Sequence, residues 1–383
     1  MIVVVLIVLI FMPVDASDER VKIFLSGDVM TGRGLDQALP NPVDPQIYEP
    51  YIKDARDYLL LAKRKSGAFD TPLSYDYIWG DAFEIFENQK PDLKIINLET
   101  AVTNHDEPYP GKGINYRMSP ENFKAITSAE IDLCILANNH TLDWQQKGLL
   151  ETLKTIDEAG VEQAGAGKNL DAAEKPVIIE QNNTRILIFS YGSPDSGIPA
   201  DWEAENNKPG LNMIFRYNDE TLKNIKQNID AYKKPGDIIV FSIHWGGNWG
   251  YDVPERHRDF AHKLIEEAGA DLIHGHSSHH PKGIEVYQDK LIIYGAGDLI
   301  NDYEGIGGHE QYRPELSLMY FPVLNTKSGD LEKLIMIPTK MHEFKLNRAF
   351  GEDAQWLKDI LKRESEEFGT TVKMSEEGEI IIE

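Results

Sequence analysis

The 383-residue chain has one cysteine, Cys134, inside the apolar stretch IDLCILANN, so it has no intrachain disulfide and no cysteine-based zinc site. Cys134 reads as a small buried hydrophobe rather than a nucleophile. Basic residues are scarce: 39 Lys plus Arg stand against 63 Asp plus Glu, a net charge of -24. That balance disfavours a nucleic-acid backbone or an anionic membrane surface as a general partner. A chain this acidic needs a local device, such as metal ions, to handle an anionic substrate. Long hydrophobic runs are also missing. The N-terminal MIVVVLIVLIFM is too short to span a bilayer as a helix, and no Lys or Arg precedes it. With the small residues of VDAS behind it, residues 1–16 read as a signal peptide cleaved after Ala16 or as an N-terminal anchor. No cysteine lies near that point, so it is not a lipoprotein signal. The expected location is outside the cytoplasm or at the cell envelope, and cytoplasmic if the run is no true signal.

What is present is an α/β alternation. Strands are expected at 21–26, 92–98, 131–137, 185–191, 237–243, 271–274 and 291–294, with helices near 81–89, 120–128, 145–159, 218–233 and 254–268. Residues 36–79, rich in Pro and Tyr with weak periodicity, read as an irregular excursion or lid. Strand-like runs (LSLMYFPVLN, KLIMIP) follow 310, then a helix near 352–366 and a terminal hairpin. The expected organisation is a main domain at 17–345 with a helix and hairpin extension at 346–383.

Nearly every expected strand ends in a residue able to bind metal. FLSGD ends at Asp28, KIINLE at Glu99, CILANNH at Asn139 and His140, VFSIH at His244, and DLIHGH at His274 and His276. In an open α/β sheet the carboxyl ends of the strands line the site crevice, so these side chains converge although distant in sequence. Taken singly, each has a plain structural reading. Asp28 serves equally as a helix cap, Glu99 as a turn cap, and ANNHTLDW as a turn into a helix capped by Thr141 or Asp143. Arg33 either clamps an anion or sits on the surface.

Histidines sharpen the picture: seven of the eleven fall between 244 and 280. His257 and His262 lie on an amphipathic helix and read as surface residues. In GHSSHHPKG, His276 and His279 straddle two serines and can point at one centre, His274 reads as support, and His280 as an outer contact or solvent-facing. Imidazole, carboxylate and Asn oxygen together suit Mn, Fe or Zn, as one ion or two. Glu99 could bridge two ions.

The ordered motifs FLSGDVMTGRG, INLETAVT, LANNHTLDW, SIHWGGNWGY, GHSSHHPKGIEVY and LIIYGAGDLINDYEG make the chain resemble the CapA family of poly-gamma-glutamate capsule biosynthesis proteins. That family is similar in fold to calcineurin-like metallophosphoesterases. The resemblance spans about 21–303 and implies a four-layer αββα sandwich of the metallo-dependent phosphatase type. It implies Asp28, Glu99 and His279 around one metal and Glu99, Asn139, His244 and His276 around the other. His140 is then the general acid or phosphate contact, and Arg33 neutralises developing charge. Met30 stands where those phosphoesterases carry a histidine ligand, Glu99 where they carry Asp, and Gly-His-x-x-His replaces Gly-His-x-His. All three departures agree with the CapA pattern. The implied function is capsule polymer biosynthesis, with either hydrolysis of a phosphoester or a non-catalytic metal- or polymer-binding role. The implied partners are an anionic polymer or phosphoester and membrane-bound synthase components.

Overall fold

A computed structural model describes residues 19–383, so the apolar residues 1–16 expected to act as a leader lie outside the described part. Four strands, β1 (Arg20–Val29), β2 (Leu93–Leu98), β3 (Leu133–Ile135) and β4 (Glu162–Ala164), run parallel side by side. The chain then builds a second sheet from β5 (Val177–Gln181), β6 (Thr184–Gly192), β7 (Ile238–His244), β8 (Leu272–His276), β9 (Ile284–Tyr287) and β10 (Lys290–Ile293), with β6, β7, β8 and β10 parallel. It returns to the first sheet through β11 (Asp298–Ile300), β12 (Leu316–Asn325), β13 (Leu331–His342), β14 (Lys345–Arg348), β15 (Lys373–Met374) and β16 (Ile380–Ile382).

Period-two alternation sorts the strand side chains into layers. Val21, Ile23 and Leu25 of β1 and Ile95 of β2 face Ile186, Ile188, Val240 and Leu272 in a core between the sheets. The intervening Phe24, Ile96 and Cys134 point outward, under the helices α3 (Ala82–Gln89) and α4 (Gln145–Glu158), which supply Ile85, Phe86, Leu149 and Ile156. On the far side, Leu187, Phe189, Ile239 and Phe241 pack under α5 (Asp219–Tyr232) and α6 (Glu255–Glu266). The result is the αββα sandwich expected from the sequence.

The expected strands and the longer helices are found close to their expected limits. The excursion at 36–79 is less irregular than expected, because α2 (Arg56–Ser66) lies within it. Only Tyr58 and Ala62 of α2 are buried, a stripe too narrow to stand out in the sequence. The helix expected at 120–128 is a 3-10 turn, Pro120–Phe123, running into the short helix Lys124–Thr127. Residues 346–383 are built into the sandwich: α7 (Gly351–Glu366) places Leu357 and Leu361 in the inter-sheet core, and β16 pairs with β13. Among the described residues, no helix is long and apolar enough to cross a membrane.

Candidate metal centre

Because the strands leading into it are parallel, their carboxyl ends open on one edge of the molecule, where both sheets contribute. Asp28 comes from β1, Glu99 follows β2, Asn139 and His140 follow β3, His244 ends β7, and His276 ends β8. All are buried. Ligand atoms of Asp28, His244 and His276 lie within 4.8 Å of one another, as do those of Asp28, Glu99, His279 and Asp298. Asp28 belongs to both groups, while Glu99 Oε1 is 3.9 Å from His244 Nε2 and 3.8 Å from His140 Nε2. Asn139 joins through its Oδ1, 3.1 Å from His244 Nε2.

A layer of amides holds Asp28 in place: Asn97 Nδ2 donates to Asp28 Oδ1 (2.7 Å), and Asn138 Nδ2 donates to Asn97 Oδ1 (3.0 Å). His276 and His244 approach through their Nδ1 atoms at 2.8 Å, and Ser242 Oγ lies 2.9 Å from His276 Nε2 and 3.1 Å from His274 Nδ1. His274 turns its Nε2 to the Ser26 carbonyl at 2.7 Å and supports the strand ends rather than facing the centre.

The electrostatics suit a cation. Burial, then the neighbouring Asp298 charge, pushes the Asp28 carboxyl up to about 7, and burial with the Asp28 charge holds Glu99 well above the usual range. Burial likewise holds His244 and His276 well below the ordinary imidazole range. Asp28 Oδ2 and Glu99 Oε2 are buried with no hydrogen-bond partner. Unpaired buried carboxylate oxygens facing deprotonated imidazoles fit a metal ion, which takes ionised carboxylates and neutral histidines.

His140 sits beside this cluster in a fixed orientation. Its Nδ1 donates to Asp143 Oδ2 at 2.6 Å, and the Tyr116 ring covers it at 4.1 Å between centroids. Lys112 reaches over from the 104–116 loop to Asp143 and the Asn139 carbonyl. Neither Thr141 nor Asp143 caps the following helix: Thr141 Oγ1 bonds the Leu136 carbonyl, and the Asp143 carboxylate accepts from the Tyr116 amide.

Of the two settings expected for Arg33, the surface one is excluded. The residue is 4% exposed, and its guanidinium is already engaged. Asp302 accepts from Nε at 2.8 Å and from Nη2 at 2.5 Å, and Glu49 accepts from Nη1 at 2.9 Å. Two histidines also differ. His257 is buried on α6, stacked on Trp245 at 4.6 Å and 2.7 Å from Asp195 Oδ2. His280 is not solvent-facing but stacks on Tyr312 at 4.6 Å. His262, on the same helix as His257, lies 3.1 Å from Glu285 Oε2.

Three groups at the centre were not singled out in the sequence. Asp298 stands directly behind the glycines of LIIYGAGD, the strand-then-carboxylate signal already used for Asp28, and was identifiable by it. Lys112 and Tyr116 lie on a loop with no such signal.

The family described as "Bacterial capsule synthesis protein PGA_cap" matches residues 22–303. A Mycobacterium tuberculosis protein named "Probable polyglutamine synthesis accessory protein" is 42% identical over 359 residues, covering 92% of this chain and 93% of that protein. "Capsule biosynthesis protein CapA" of Bacillus anthracis is 27% identical over 74% of this chain and 61% of its own length. "PGA biosynthesis protein CapA" of Bacillus subtilis is 27% identical over 75% of this chain and 64% of its own length. The strand-end cluster lies within the matched span, and the chain belongs to the PGA_cap family of bacterial capsule synthesis proteins.

Proposed function

We propose that the protein acts in the synthesis of a polyglutamate-type capsule polymer at the cell envelope, as a metal-dependent hydrolase of a phosphoester or related anionic bond. The observation that carries the chemical part is the pair of unpartnered buried oxygens, Asp28 Oδ2 and Glu99 Oε2, set among histidines at the strand ends. The residues that would hold metal are Asp28, Glu99 and His279 on one side and Glu99, Asn139, His244 and His276 on the other. A bound divalent cation would supply Lewis-acid stabilisation of the charge developing on a phosphoryl group.

The protein's own part is to position the reacting groups and move a proton. Asp143 holds the Nδ1 proton of His140, so Nε2 presents a lone pair to the centre. Burial pushes His140 down to about 4, which keeps the free ring neutral near pH 7. His140 therefore starts as a proton acceptor, and acts as an acid toward a leaving oxygen only after taking up a proton. Lys112 and Tyr116 exclude water from the Asp143 side.

A second reading, non-catalytic metal or polymer binding, is favoured by Arg33. Its pairing with Asp302 and Glu49 takes three of its five N–H groups and already compensates its charge. One experiment separates the two: measure metal content, then phosphate release from aryl phosphoesters and chain length of poly-gamma-glutamate, with Asp28→Ala and His244→Ala as controls. Turnover lost in both variants supports hydrolysis. Turnover surviving both places it elsewhere, and stoichiometric metal without turnover selects the binding reading.

A further inference from the structure

The two halves of the centre differ in donor chemistry. One half offers two imidazoles and an amide oxygen, from His244, His276 and Asn139, beside the Asp28 carboxylate that it shares with the other half. The other has His279 with three carboxylates, Asp28, Glu99 and Asp298, whose ligand atoms lie within 4.8 Å of one another. Met30, which directly follows β1, is buried, and its thioether accepts from the Tyr303 hydroxyl at 3.6 Å. A thioether is a poor ligand for a hard cation.

Asp298 reaches the centre by strand register. β11 pairs in parallel with β1, and Asp28 and Asp298 are direct partners, so both carboxylates leave the same face of the sheet side by side. The close approach depends on glycine: a Cβ on Gly27 would fall 1.8 Å from the Gly297 carbonyl oxygen. Asn301 Nδ2 donates to Asp298 Oδ2 at 3.0 Å, which leaves Oδ1 directed at His279 Nδ1, 2.8 Å away.

We propose that Asp298 is a metal ligand that fills the place left by Met30 and makes this half a site for a hard divalent cation, Mn2+ or Mg2+, while the histidine half takes a borderline ion such as Zn2+. The proposal rests on the metal-centre reading above. It goes further in assigning a different ion class to each half. Oxygen-rich sets suit Mg2+ and Mn2+, and imidazole suits Zn2+, so an ordered filling follows.

The test uses the full chain freed of metal, loaded with one equivalent of Zn2+, and titrated with Mn2+ followed by electron paramagnetic resonance. The expected result is that zinc stays bound while Mn2+ enters the second half. His276→Ala should lose zinc and keep Mn2+. Asp298→Asn should weaken Mn2+ binding at least about tenfold with zinc unchanged, because the amide removes one ligand charge from the cation. Asp298→His should raise the preference for zinc over Mn2+ in that half by a similar factor. A residue that merely orients His279 would tolerate Asn, whose amide oxygen still accepts from Nδ1–H, so unchanged Mn2+ affinity in Asp298→Asn overturns the proposal. Should Asp298→Asn fail to fold, the wild-type titration decides: Mn2+ that displaces the zinc, or a second Zn2+ bound as tightly as the first, also overturns it. A wild-type chain that binds no ion would instead overturn the metal-centre reading itself.

Discussion

His140 owes its tautomer to Asp143, and that dependence is measurable. Asp143→Asn presents an amide that no longer demands the proton on Nδ1, and turnover should fall by about 10²–10⁴ while metal content stays constant. A second residue-scale prediction concerns Asp195. Burial alone would raise its pKa, but His257 and the Gly246 amide bond its carboxylate and hold it well below the usual range. A carboxylate depressed in the folded state contributes stability that is complete above its unfolded value near ~4 and is lost as pH falls through its folded value. Asp195→Asn should cost about 1–3 kcal/mol at pH 7 and reduce the acid sensitivity below pH ~4, read from urea midpoints at both pH values. At this scale His244, His276 and Glu99 were legible because each directly follows an apolar strand. Lys112 and Tyr116 were not, because nothing local marks a loop residue that will fold over His140. His257 was misplaced on the surface because an amphipathic pattern does not reveal that Trp245 and Asp195 will cover it.

Among the elements, the pairing of β1 with β11 decides most about the site. Gly27→Ala forces a methyl group onto the Gly297 carbonyl, 1.8 Å away, and can be accommodated only by moving the two strands apart. The expected cost is about 1–3 kcal/mol in a denaturant titration, with loss of bound Mn2+ before loss of Zn2+. Unchanged stability and metal content would show that the strands approach less closely than described. The strands were legible because alternation writes two faces into each: Val21, Ile23 and Leu25 face inward while Phe24 faces the helix layer. Helix α2 escaped notice because so little of it is buried. The partner of each strand was also hidden: hydrophobic pattern marks a strand but not its neighbour, so the crossing from β10 back to β1 through β11 needed the structure.

For the whole molecule, a net charge of -24 and three carboxylates gathered in one buried centre mean that cations bound at the proposed centre would add to its stability. Dialysis against a chelator should lower Tm by several degrees, and Mn2+ with Zn2+ should restore it, as seen by calorimetry. An unchanged Tm would mean that the centre holds no ion in solution. By itself the sequence determined the layered α/β class, the candidate ligands at the strand ends and the family resemblance. These follow from period-two alternation and from the rule that parallel strands open their carboxyl ends to one side, both readable locally. Tertiary structure alone decided that Asp298 stands beside Asp28, that Arg33 is neutralised by Asp302 and Glu49, and that Lys112 closes on His140. Each of these contacts joins segments whose approach is set by register and packing across the fold, and no local pattern encodes that distance.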